Sequence, residues 1–184
     1  MKTYSNYIDY FENLIVQCID FDHVPEDNKK AFFSINLEDV LAGQRSSIDA
    51  DGLFFVLSNY IWKPADNNET FVKEGEGMFF VLGTSPEGDI EKEKEVLDLC
   101  EKAVTKIINR IRLDSLKETK DENSFWYGSQ DQINIQNILP LRWVMGNNQV
   151  GLQVVFKFAS KYNPCVNKDD WADKDTDESV TPYL

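Results

Sequence analysis

One histidine, three cysteines and 32 acidic residues form the reactive inventory of this 184-residue chain. His23 stands close to Asp20 and Asp22, a combination that could ligate zinc or move a proton. No second imidazole exists and no thiol sits at a ligand spacing, so His23 reads as a solvated loop histidine. A serine nucleophile would need this same ring as its base, and no G-x-S-x-G elbow is present. Cys18, Cys100 and Cys165 form no close pair. Cys18 and Cys100 fall on apolar helical stripes, where a free thiol behaves as a small core residue. Carboxylates are numerous enough to meet by accident, so none can be singled out as an acid–base couple. Asp49-Ala50-Asp51-Gly52 and the alternating Asp173, Asp175 and Asp177 begin like calcium loops. Neither supplies the full ligand set or the closing bidentate glutamate. Gly75 and Gly77 are followed by no G-K-[ST], and Phe54-Phe55 lack the interleaved basic residues of a nucleic-acid platform. The inventory predicts a protein that is not an enzyme and carries no cofactor or metal.

The elements that would position any site are better specified. Apolar residues recur at Val96, Leu97, Cys100, Val104, Ile107, Ile108 and Ile111, with Glu95, Asp98, Glu101, Lys102, Lys106 and Arg110 opposite them. That pattern predicts an amphipathic helix over 87–116. Tyr4, Tyr7, Phe11, Leu14, Ile15, Cys18 and Ile19 predict another over 3–20. Strands are expected at 31–35, 53–62, 70–72 and 78–82, the last two separated by Lys73–Gly77. The run 53–62 is apolar enough to be covered on both sides. Asn36 could cap a short helical turn at 38–41. Phe125, Trp126 and Tyr127 read as anchors returning a charged segment to the core. Gly146-Asn147-Asn148 predicts a hairpin between 141–145 and 150–158. The fold class is α+β, with a mainly antiparallel sheet packed against two helices. Residues 1–166 form one domain, and 167–184 form an acidic, mobile tail.

A net charge of −13 opposes simple binding to DNA or anionic lipid. It is compatible with lining a DNA passage without adhesion. No apolar run is long enough for a membrane helix, no signal peptide is evident, and the odd cysteine count suits a reducing compartment. Large amphipathic rings at Trp62, Trp126, Trp143 and Trp171 are candidates for packing or for protein interfaces.

The order of these features resembles the tail-terminator and head–tail completion proteins of tailed bacteriophages, of a Bacteroidetes-phage type. The resemblance runs through Tyr10–Cys18, Asn36–Gln44, Leu53–Trp62, Val96–Ile111 and Leu141–Phe158. It is most specific at Gly151-Leu152-Gln153-Val154-Val155-Phe156, followed by Asn163-Pro164-Cys165 and Trp171. It implies a non-enzymatic virion protein, assembled in the bacterial host cytoplasm, that closes a ring, commonly a hexamer. Its partners would be other copies of itself and tail-tube or portal-side neck proteins, with no sequence-specific nucleic acid and no membrane. The loop 42–52, with Gln44, Arg45, Asp49 and Asp51, would meet a neighbour or the tube. Trp62, Trp126, Trp171 and Tyr183 complete the candidate interface residues. Two other readings stand beside this one: a cytoplasmic adaptor or inhibitor with an acidic surface, and a small hydrolase.

Overall fold

The structure is a computed structural model and describes residues 4–24, 29–34, 52–58, 61–64, 72–118, 120, 125–126, 133–142 and 148–161. Helix α1 spans Tyr4–Val16, and strand β1 (Phe32–Ser34) follows it. Strands β2 (Phe54–Leu57), β3 (Ile61–Pro64) and β4 (Val72–Thr84) lead to helix α2 (Ile90–Lys117), after which come β5 (Asn134–Leu141) and β6 (Gln149–Lys161). The strands make one six-stranded sheet in the order β1-β2-β4-β6-β5, with β3 also paired to β4 on the β2 side. Only β1 and β2 run parallel among the described pairs. The α+β class and the mainly antiparallel sheet are therefore as the sequence predicts.

Helix α2 shows how local chemistry sets a boundary. Its N-cap, Asp89, accepts the Lys92 amide hydrogen at 2.9 Å, and Glu91 and Glu93 occupy the positive first turn. The expected start at 87 moves to 90 because Pro86–Gly88 forms a turn, with Gly88 at φ 82. Val96, Cys100, Val104, Ile107 and Ile111 are buried along one stripe. Helix α1 ends earlier than its apolar spacing indicates. The Cys18 amide bonds the Ile15 carbonyl at 3.1 Å, a tightened last turn, and Ile19 is left 92% exposed.

Both helices pack on one face of the sheet. Phe11 of α1 stacks on Phe55, and Phe55 on Phe79, at 6.0 and 5.0 Å between ring centres. Val96 of α2 lies over Gly83. The opposite face also carries buried side chains, Phe33, Phe54, Val56, Phe80 and Leu82. Alternation along the paired strands puts them there. Two-sided burial of 54–57 is thus as expected, although the single strand anticipated over 53–62 resolves into β2 and β3.

The segment Lys73–Gly77 is a correction. It belongs to a continuous thirteen-residue strand, paired with β6 from Val72↔Lys161 to Thr84↔Gln149. Phe158 lies opposite Gly75 and Phe156 opposite Gly77, and each ring occupies the space that a side chain on the glycine would need. Aromatic rings laid across glycines on a neighbouring strand restore the packing those glycines lack. The terminal hairpin is present with its first strand moved. It is β5, at 134–141 rather than 141–145, and residues 143–147 lie outside the described residues. A bulge at Gln136, between Ile135 and Asn137, breaks the alternation of this strand.

Candidate functional site

The candidate interface residues do not converge on one described surface. Gln44, Arg45, Asp49, Asp51, Trp171 and Tyr183 lie outside the described residues, as do the 38–41 turn, Cys165 and the acidic tail. Trp62 occupies the β3 position opposite Gly75. Trp126 is a correction: it is fully buried, with its ring edge-on to Tyr10 at 5.3 Å and to Phe125 at 4.9 Å. An indole enclosed by aromatic neighbours cannot meet a partner without unfolding its surroundings. The anchor reading of Phe125 and Trp126 is the one that holds, since both are core residues.

The buried polar groups are mostly used internally. Asp114 sits at the α1–α2 contact, where Arg110 Nε donates to both carboxylate oxygens at 2.8 and 3.0 Å. The Tyr10 hydroxyl donates to Asp114 Oδ2 at 3.0 Å. Burial, reinforced by the Asp114 charge, pushes the Tyr10 hydroxyl well above the ordinary phenol range, so it stays a donor. Glu93 is buried in α2's first turn and pairs with Arg142 at 2.9 Å. Sequence reasoning placed Arg110 on the solvent side and missed Asp114. The signal was the four-residue Arg110–Asp114 spacing, which puts the two on adjacent turns.

His23 is a further correction. It is only 5% exposed rather than solvated. Its Nδ1 accepts the Ala31 amide hydrogen at 3.0 Å, and its Nε2 lies 3.8 Å from Glu12 Oε1. The apolar residues flanking its segment, Phe21 before it and Ala31-Phe32 after it, were the available signal. No group of three or more His, Cys, Asp or Glu residues could hold a metal among the described residues. Cys100 is buried on α2, and burial pushes its thiol up to about 12. Burial raises Cys18 also. Neither has the thiolate character a nucleophile needs.

Two kinds of surface remain. A groove of about 230 Å³ lies between the end of α1 and the middle of α2, with Leu14 and Ile107 among its lining residues and with Lys106 and Arg110 beside them. Both cations are already engaged, Lys106 by Asp20 at 2.7 Å and Arg110 by Asp114, so the groove offers little uncompensated charge. The sheet edges are more distinctive. Among the described strands, Ile61 on β3 is 76% exposed at one edge, and Ile138 and Leu139 on β5 are 46% and 48% exposed at the other. Strand β5 contains no charged residue, in a chain of which 28% is charged. Its Pro140 and its bulge interrupt the backbone pattern another strand would pair with. Contacts at this edge are therefore expected to run through side chains. No helix among the described residues is long and apolar enough to cross a membrane. Neither protein-family models nor curated proteins match this chain.

Proposed function

We propose that this chain is a structural protein of a tailed-phage virion, closing a ring at the head–tail junction or the proximal end of the tail. The observation that carries the reading is the pair of dissimilar apolar edges, Ile61 on β3 and Ile138 with Leu139 on β5. They lie on opposite sides of the sheet. A ring needs a head-to-tail interface in which one surface of each copy meets a different surface of the next. Two unlike edges on a single subunit meet that requirement, and exposed large apolar side chains supply contact area. The arrangement of polar groups points the same way. Asp114, Glu93 and Arg110 are spent on joining elements of the fold. The charge of −13 suits a wall that DNA passes without sticking.

Immunogold electron microscopy of intact particles, paired with particles made without this gene, tests the role. Label at the neck, with defective joining or irregular tail ends in the deletion, is expected. Absence of the protein from purified virions would sink the proposal and leave an acidic adaptor as the better account.

A further inference from the structure

We propose that His23 is a proton-operated latch, holding the edge strand β1 against β2 when neutral and releasing it in acid. Its Nδ1 accepts the amide hydrogen of Ala31 at 3.0 Å, so the imidazole carries its single proton on Nε2. Ala31 is itself buried, and its carbonyl accepts the Phe55 amide hydrogen at 2.6 Å, next to the parallel rungs Phe32↔Phe55 and Phe33↔Val56. One imidazole lone pair thus sits at the head of the β1–β2 ladder. Protonation fills that lone pair. Donor then faces donor, and a buried amide loses its acceptor.

The surrounding charges push in the same direction. Helix α1 contributes Glu12, whose carboxylate is 3.8 Å from Nε2, too far for a hydrogen bond but close enough to attract an imidazolium. Within His23's own segment, Asp20 is held by Lys106 of α2 and Asp22 by Lys29, each at 2.7 Å. Lys29 and Lys30 lie between His23 and β1 in the chain, and β1 itself presents the uncharged Phe32 ring, 6.2 Å away. A second proton therefore draws the ring towards Glu12 and away from Ala31. Strand β1 has three described residues to resist, and among the described strands it forms an outer edge of the sheet. Its release would leave the outer side of β2 open while the β4–β6 centre stays intact.

The chain holds a single histidine, so one imidazole resonance can be followed by NMR beside amide exchange in the full-length protein. On acidification the protection factors of the Ala31 and Phe55 amides should fall about tenfold or more, in step with that resonance. Val154, in the sheet centre, should keep its protection. His23→Gln retains an acceptor for Ala31 without a titrating group, and its protection factors should be flat with pH. Glu12 is half-exposed, so Glu12→Gln keeps the fold; there both midpoints should move together to lower pH. Three results would each overturn the latch: wild-type protection that ignores the imidazole titration, a fall that persists in His23→Gln, or midpoints that separate in Glu12→Gln.

Discussion

Strand β6 has two neighbours, and they are built on opposite plans. Towards β4 it makes an unbroken run of register partners from Gln149 to Lys161, with Phe156 and Phe158 laid across Gly77 and Gly75 beneath the helices. Towards β5 the pairing is shorter, is broken by a bulge, and carries Pro140 and exposed Ile138 and Leu139. The same strand thus serves shape-matched packing on one side and a loosely buried apolar margin on the other. Stability should reside in the first contact and association in the second.

Substitutions can break that division, and the largest effect should come from the centre. Val104→Asp places a charge under α2 where the sheet offers no partner, and is expected to cost about 3–5 kcal/mol and to abolish soluble folded protein. A melting temperature equal to wild type would show that this face does not carry the fold. Gly77→Val drives a branched side chain into the Phe156 ring and the Tyr7 hydroxyl, and should cost about 1–3 kcal/mol in urea unfolding. Asp114→Ala should cost a similar amount, about 1–3 kcal/mol, because the half-buried Tyr10 hydroxyl loses its acceptor.

Alkaline pH probes the same core more gently. The Cys100 thiol ionises at 9.0 when unperturbed and is pushed up to about 12 by burial. The folded state therefore holds this proton more tightly than the unfolded chain. Stability from this group is fully present below pH 9.0 and is lost as pH rises towards about 12. Denaturant titrations across that range should show a steeper decline for wild type than for Cys100→Ala. The smallest effect on folding belongs to the margin. Ile138→Asp combined with Leu139→Asp should change stability by less than about 0.5 kcal/mol, yet remove the ring assembly that we propose. Loss of folding equal to that of Val104→Asp would erase the distinction between the two sides of β6.

Legibility in the sequence followed the range of the interactions involved. Helix α2 could be read because its stripe is local, repeating within a turn or two of itself, although its Asp89 cap, equally local, was missed and the start was placed at 87. Residues 73–77 could not, since two glycines signal a break locally and only the distant Phe156 and Phe158 make them strand residues. The bulge at Gln136 scrambled the period of β5, so the hairpin's first strand was sought nearer its turn. Trp126 illustrates a limit of residue type: a large amphipathic ring is equally at home in a core or an interface, and its neighbours Tyr10 and Phe125 decide. His23 was misread for the same reason, because its acceptor role depends on Ala31, across the segment that leads into β1.

The register Val72↔Lys161 also governs when this molecule can exist during its own synthesis. Strand β4 emerges from the ribosome well before β6, with α2 and β5 translated in between. Until Lys161 clears the exit tunnel, the β6-facing backbone of β4 has no native partner, and the glycines at 75 and 77 have no rings above them. Closure over so long a stretch of chain is slow compared with helix formation. The nascent chain is therefore expected to hold α1 and α2 before its sheet. A translation arrest placed between Thr84 and Gln149 should trap a protease-sensitive species that becomes resistant only when the last strand is released.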